Sequence, residues 1–325
     1  MKELVATIYR KSGDLPEMEY RNFFHSKSLF MIYEQTPRQT PYMVVVRTCG
    51  GNIVGHLLAV IRQRTSCFPP YIYRHCRIMG EGEYAGAPHE ACDIFAEAIR
   101  VLTQEIQGHV LYTELSHLGQ KMFGYGQLRR NYFFPVHWMS IHNSLHSHTP
   151  EERLSEKMKR RIETASAKGV VTREATGEDE LKACCRLLRD HNLLKPKRYI
   201  PDDSFFKALV ASGHGRIFAT VYKDTVIGCC VCAYSGSNAY LWYSAFRRKT
   251  FIMLHPDILT VWQAIKDAHE RGFAHIEFMD VGLPLRKNPF RDFILRFGGK
   301  PVSTYRWFRF SPRWLNRILS NIYIG

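Results

Sequence analysis

Residues 274–310 read AHIEFMDVGLPLRKNPFRDFILRFGGKPVSTYRWFRF, and this stretch decides the fold. It begins as a short apolar strand that ends at Asp280 and continues into a loop. Phe290, Phe293 and Phe297 follow at i, i+3 and i+7, a spacing that predicts one face of a short helix. A glycine pair ends that helix, and a strand rich in aromatic residues and arginine closes the stretch. Asp280 therefore lies where a strand gives way to a loop, which is where open α/β sheets place functional groups.

The same order of elements occurs in both halves of the chain. In the second half, a hairpin at 216–234 and a strand at 239–246 precede a long helix and the stretch above. In the first half, a hairpin at 42–62 and a helix at 88–107 stand in the same order, before another aromatic strand. This repetition at long separation indicates a duplicated domain. The order itself predicts an α/β fold, in which each domain is a mixed, mostly antiparallel sheet flanked by helices.

We expect two domains, 1–145 and 146–325, of which the second begins with a linker helix at 150–169. The linker helix starts after Thr149, Pro150 and Glu152, a combination typical of a helix N-terminus. The 325 residues, of which 45% are apolar, are enough for two cores of ordinary size.

Charge and composition restrict the partners and the location. The net charge of +15 indicates an anionic partner. No apolar run is long enough to span a membrane, and the first residues lack the apolar region of a signal peptide, so we expect a cytoplasmic protein. Cys229, Cys230 and Cys232 share one strand, and we interpret them as buried small side chains in a reducing compartment.

The C-terminal segment 312–324 is amphipathic. An apolar stripe at helical spacing faces a polar side that contains Arg313, Arg317 and Asn321; the stripe consists of Trp314, Leu315, Ile318, Leu319 and Ile322. Two interpretations stay open at this point. The helix either lies in a membrane interface, which places the protein at the inner face of the membrane, or packs on the protein's own core.

Three stretches resemble the GNAT acyltransferase fold in tandem, and within it the FemAB-like peptidyltransferases. They are KMKRRIETASAKGV at 157–170, HPDILTVWQAIKDAHERGFAHIEFMDVG at 255–282, and FILRFGG at 293–299. The resemblance covers residues 150–310 by motif and the first half by element order. It implies an N-acyltransferase in which an acceptor amine attacks the donor directly, with acyl-CoA, such as acetyl-CoA, as co-substrate and no bound cofactor or metal.

The resemblance also assigns roles to single residues. Asp280 is the candidate catalytic carboxylate, because amine acylation needs a neutral nucleophile. The loop that carries Arg247, Arg248 and Lys249 precedes a helix N-terminus and is the candidate binding site for the donor phosphates. Four arginines are candidates for binding the acceptor: Arg160, Arg161, Arg291 and Arg296.

One position departs from the family pattern. Ile294 stands where Fem-type enzymes have a lysine that is implicated in stabilising charge on the transferred carbonyl. The departure favours a thioester donor over aminoacyl-tRNA. The acceptor is then expected to be an amine of a cell-envelope precursor, such as peptidoglycan, a surface glycan or a lipid-linked molecule. A Fem-type transferase that uses aminoacyl-tRNA, and a non-catalytic module that binds RNA or an anionic polymer, remain alternatives.

Metal binding is not expected. His142, His146 and His148 lie in a polar segment that offers no carboxylate or cysteine at a ligand spacing.

Overall fold

The computed structural model describes residues 4–67, 70–192, 199–279 and 281–324. Its strands are β1 (Leu4–Tyr9), β2 (Gln39–Thr48), β3 (Ile53–Cys67), β4 (Pro70–Met79), β5 (Glu83–Tyr84), β6 (Tyr112–Ser116), β7 (Phe134–Ser144), β8 (Val171–Glu174), β9 (Gly215–Tyr222), β10 (Thr225–Ser235), β11 (Asn238–Phe246), β12 (His275–Phe278) and β13 (Lys300–Phe310). Its α-helices are α1 (Lys27–Gln35), α2 (Pro88–Glu105), α3 (Tyr125–Arg130), α4 (Glu156–Ala167), α5 (Glu178–Asn192), α6 (Asp203–Ala211), α7 (Pro256–Glu270), α8 (Pro289–Ile294) and α9 (Arg313–Ile324).

The chain divides into two compact units. Unit 1 comprises Met1–Trp138 and Ser303–Gly325, and unit 2 comprises Met139–Val302. Unit 1 contains a sheet of order β1-β2-β3-β4-β6-β13, and β5 pairs with β3. Among the described strands of this sheet, only β4 and β6 run parallel, and α2 lies in the segment that connects them. The apolar side of α2, which includes Phe95 and Leu102, packs on the core of this unit.

Unit 2 has the same arrangement. Its sheet order is β8-β9-β10-β11-β12-β7, and β11 and β12 form the parallel pair. The connecting helix α7 buries Val261, Ala264 and Ala268 against strand residues that include Ile276 and Phe278. Pro256 occupies the first turn of α7, where a proline costs no hydrogen bond. The duplicated α/β fold that the sequence predicts is confirmed.

The domain boundary differs from the expected one at 145/146. The chain passes from one unit to the other inside β7 and again inside β13. β7 follows the elements of the first half but pairs with β12 of unit 2. β13 follows the elements of the second half but pairs with β6 of unit 1, so the C-terminal segment belongs to unit 1. Each sheet is therefore completed by a strand from the other half of the sequence, which element order alone does not reveal.

Candidate functional site

The two parallel strands of unit 2 stop pairing where β11 is distorted. β11 pairs with β12 along Asn238–Leu241 only, although β11 continues to Phe246. At the same point the register with β10 shifts, because Val231 faces Tyr243 while Cys232 faces Leu241. Trp242 is thus an extra residue, a β-bulge. Bulges bend a strand and are frequent beside active sites. β12 itself ends at Phe278, so from Trp242 onward β11 extends beyond its parallel partner.

The loop after β11 leads to the start of α7 through a strained residue. His255 precedes Pro256 and has a φ of 44°, a left-handed conformation that is uncommon for residues other than glycine. Burial and the nearby Arg161 lower the pKa of His255, so the imidazole is neutral near pH 7. Strain of this kind persists where the surrounding structure enforces it and is frequent at functional sites.

Helix α4 lies beside this loop and presents basic side chains. Ser155 begins the helix and accepts a hydrogen bond from the Met158 backbone N–H at 3.4 Å. Met158 and Ala165 are buried, so the charged residues of the helix face outward. A groove of about 450 Å³ lies here, lined by Glu156, Lys157, Arg160, Arg161, Thr164, Met253 and His255. It connects the basic helix to the N-terminus of α7.

A second groove of about 480 Å³ shares Lys157 and Arg161 with the first. Its other lining residues are Arg153, Ser155, Met158, Leu295, Arg296 and Gly298. Gly298 has a φ of 81°, and an added Cβ would lie 2.8 Å from the Cβ of Arg153, so only glycine fits there. Arg153 donates to Ser147 Oγ at 2.6 Å, but its buried Nε has no hydrogen-bond partner among the described atoms.

We call these two adjoining cavities the basic groove. Five of its side chains are basic, namely Arg153, Lys157, Arg160, Arg161 and Arg296, and its one acid is Glu156. The Glu156 carboxylate forms an ion pair with Lys159, with 2.9 Å between Oε1 and Nζ. Such a concentration of positive charge is suited to a phosphate group, which arginine and lysine bind by charge-assisted hydrogen bonds. The adjacent helix N-terminus adds a favourable dipole for an anion.

The predicted phosphate-binding residues lie on the loop but do not line the basic groove. Arg247, Arg248 and Lys249 are exposed, and Arg248 forms an ion pair of 3.4 Å with the buried Asp257 in the first turn of α7. The loop contributes Met253 and His255 to the groove instead. Three of the four predicted acceptor residues, Arg160, Arg161 and Arg296, do line it.

Arg291, the fourth predicted acceptor residue, forms hydrogen bonds with backbone carbonyl groups. Its guanidinium donates to the carbonyl oxygens of Leu283 at 2.8 Å and Arg286 at 2.9 Å. It therefore stabilises the loop that precedes α8. Ile294 is fully buried in the core of unit 2 and lines neither of the two cavities of the basic groove. Asp280 lies outside the residues that the structure describes.

Glu277 is a candidate that sequence reasoning missed. It follows the buried Ile276 in β12 and projects from the side of the sheet opposite to α7, where His142 is its strand partner. Its carboxylate lies 3.9 Å from His142 Nδ1, and burial raises its pKa to about 7. A carboxylate with a pKa near the working pH is suited to general base catalysis. The alternation of HIEF on β12 is the signal that places Glu277 away from the α7 core.

The raised pKa of Glu277 predicts a pH-dependent stability. Between about pH 4.5 and pH 7 the folded protein keeps a proton that the unfolded chain releases, so this group destabilises the fold as the pH rises. Glu277→Gln removes the penalty and is expected to stabilise the protein by about 1–3 kcal/mol at pH 8, with little change at pH 4. Urea denaturation at the two pH values measures this difference. Glu270→Gln, at an exposed carboxylate of α7, serves as the control.

The described residues offer no group of three or more His, Cys, Asp or Glu side chains that could hold a metal ion. Burial raises the pKa of the Cys185 thiol to about 12 and that of Cys230 well above its usual range. Both therefore stay protonated at neutral pH, as expected of buried cysteines that pack rather than react.

Comparison with known proteins finds one family model that matches part of the chain. Residues 152–284, which contain α4, the bulged β11, α7 and β12, match the model of the acetyltransferase (GNAT) domain. A search of curated protein sequences finds no significant match.

Solved structures extend the likeness to the whole chain. A tandem GNAT protein from the clavulanic acid biosynthesis pathway is 12% identical, with a TM-score of 0.58, covering 95% of this chain and 99% of that one. FemX is 10% identical, with a TM-score of 0.57 and coverage of 89% and 97%. L-PGS from Bacillus licheniformis is 10% identical, with a TM-score of 0.56 and coverage of 91% of each chain. Residues 152–284 therefore match a GNAT acetyltransferase domain, and the fold of the whole chain is similar to that of tandem GNAT proteins.

Proposed function

We propose that this protein transfers an acyl group from a CoA thioester to an amine, and that unit 2 binds the donor. The observation that carries the proposal is the basic groove at the start of α7, five basic side chains beside a strained helix N-terminus. The phosphates of CoA are anions that such a groove binds. Arg160, Arg161 and Arg296 then bind the donor rather than the acceptor. Arg247, Arg248 and Lys249, on the exposed loop that leads to α7, remain proposed as further contacts of the donor phosphates.

The region beyond the paired part of β11 and β12 is the proposed position of the acyl group. Beyond Leu241 and Phe278, β11 and β12 no longer pair with one another. The thioester is proposed to lie in this gap, with its phosphates on the α7 side. The acceptor amine then approaches from the opposite side, where Glu277 lies. Asp280 follows β12 in the sequence, and we propose Asp280 or Glu277 as the carboxylate that keeps the amine unprotonated.

In the described part of unit 1, the corresponding strands have no such bulge. The register of β3 and β4 is regular from Ala59↔Ile78 to Cys67↔Pro70, and β4 pairs with β6 up to Met79↔Ser116. The loop that corresponds to 247–255 contains Glu81, a buried carboxyl group that accepts from the Gly119 backbone N–H at 2.9 Å. Burial raises the pKa of Glu81 to about 7, and in its ionised form the group repels phosphate. We therefore propose one donor site for each chain.

The acceptor is proposed to be an amine of a cell-envelope molecule. A structural neighbour, 8% identical with a TM-score of 0.57, is the C-terminal domain of a putative lysylphosphatidylglycerol synthetase from Agrobacterium fabrum. FemX and L-PGS are further neighbours. These likenesses support the envelope as the setting but do not name the acceptor.

The donor class is tested by ligand-induced stabilisation of the full chain. Saturating acetyl-CoA is expected to raise the melting temperature by several degrees, because a ligand at about 100 times its Kd adds about 2.7 kcal/mol. Aminoacyl-tRNA is the second arm, since the basic groove also suits RNA phosphates. A shift with aminoacyl-tRNA and none with acetyl-CoA would replace the thioester donor by the Fem-type donor. If neither acetyl-CoA nor aminoacyl-tRNA raised the melting temperature, the proposal would be contradicted.

A further inference from the structure

Helix α9 is fixed to unit 1 by contacts on its inner side. The Asn316 side chain accepts from the Phe310 backbone N–H at 2.8 Å and donates to the Tyr132 carbonyl at 3.0 Å. At the other end of the helix, the ring of Tyr323 stacks on Phe134, with centroids 6.1 Å apart. The helix is therefore held against the fold in a defined orientation.

Its outer side exposes an apolar row. Trp314, Ile318 and Ile322 are four residues apart, so they lie along one line of the helix. Their exposed fractions are 68%, 51% and 64%. A helix that packed its stripe on the core would hide these side chains. The interpretation that this row is part of the protein's own core is therefore wrong.

An aromatic side chain is held beside the start of this helix. Tyr132 is 74% exposed and has a φ of 65°, a strained conformation for a tyrosine. The bond from Asn316 to its carbonyl links this strained turn to α9. Tyrosine and tryptophan are the residues that favour the boundary between lipid and water.

The charged residues of α9 and of the segment just before Tyr132 are all positive. Arg313 and Arg317 are exposed on α9, and Arg129 and Arg130 are exposed just before Tyr132. Residues 306–325 contain no aspartate or glutamate. Burial, with a smaller contribution from the nearby Arg313, lowers the pKa of Arg309.

We propose that this surface, formed by α9 and Tyr132 and called the α9 surface, binds the headgroup region of an anionic lipid membrane. An exposed apolar row bordered by arginines is the arrangement of helices that lie in the membrane plane. The apolar side chains enter the interface, and the arginines contact lipid phosphates. No described helix of this chain is long and apolar enough to cross a membrane. The proposal does not depend on the identity of the acyl donor.

The test is sedimentation of the full-length protein with vesicles of phosphatidylcholine alone or with phosphatidylglycerol added. We expect binding to the anionic vesicles only. Ile318→Ser/Ile322→Ser should weaken that binding by at least roughly ten-fold, because less apolar surface enters the interface. Arg313→Gln/Arg317→Gln should weaken it by roughly thirty-fold, since each arginine near an anionic surface contributes about 1 kcal/mol.

The matched control is Arg186→Gln/Lys266→Gln, which removes two positive charges from unit 2, where each is paired only loosely at 3.9 Å. It should bind as the wild type does. Circular dichroism establishes that all variants are folded. If the control lost binding to the same extent, net charge alone would explain the effect of the arginine substitutions, and the proposal would be overturned. The proposal would also be overturned if the wild type did not bind vesicles. It would be overturned as well if the wild type were a dimer and Ile318→Ser/Ile322→Ser a monomer, because the α9 surface would then bind a second copy of the chain.

Discussion

Ile294→Lys is expected to destabilise the protein by about 3–5 kcal/mol, because it places an unpaired charge in the core of unit 2. Ile294 has no exposed surface and lies in the same cluster as Leu154, Phe293 and Phe297. Restoring the Fem-type lysine at this position therefore does not add a cation to the site. Urea denaturation measures the loss.

Ile294→Leu, which keeps the size and polarity, is the control and should cost less than about 1.5 kcal/mol. Arg296, two residues later, is the exposed cation of this segment and lines the basic groove. If Ile294→Lys kept wild-type stability and gained aminoacyl transfer, the side chain at position 294 would face the substrate. The description of Ile294 as a core residue would then be wrong.

Asp280→Asn is expected to lower the turnover number by about 10²–10⁴-fold, the usual contribution of a general acid or base. The substitution keeps the shape of the side chain and removes its charge. Initial rates of acyl transfer to an amine, measured at saturating donor, test the prediction. The affinity for acetyl-CoA should change little, because the proposed role concerns the amine.

Comparison with Glu277→Gln shows which of the two carboxylates, Asp280 or Glu277, acts as the base. If Glu277 is the base, its pKa of about 7 requires the wild-type rate to rise as the pH increases through 7, and Glu277→Gln removes that rise. Full activity of Asp280→Asn would exclude Asp280 from proton transfer. Loss of folding in Asp280→Asn, seen by circular dichroism, would assign it a structural role instead.

The sequence predicted the elements well because their local signals agree. The turn between β2 and β3, the proline that begins α7 and the continuous apolar run of β10 each follow from short-range rules. The strand β1 was missed, since Leu4–Tyr9 is short and lies at an edge. The exchange of β7 and β13 could not be predicted, because an aromatic strand fits the edge of either sheet equally well.

The site was predicted less completely, since it depends on long-range contacts. The family resemblance indicated Arg160, Arg161 and Arg296 as acceptor-binding residues, and the structure brings them to one groove. The function of Arg291 in holding carbonyl oxygens depends on the fold of the 281–287 loop. The pKa of Glu277 depends on burial by neighbouring strands. The bulge at Trp242 is visible only in the pairing register of β10 and β11.

Calorimetric titration of acetyl-CoA into the full chain tests the central claim, a single donor site at the basic groove of unit 2. We predict one site for each chain and an affinity at least about 100-fold lower in Lys157→Gln/Arg161→Gln, which loses two charge-assisted hydrogen bonds. Arg186→Gln/Lys266→Gln, with the same net charge, should bind as the wild type does. Two sites for each chain, or equal affinity in the wild type and Lys157→Gln/Arg161→Gln, would contradict the account.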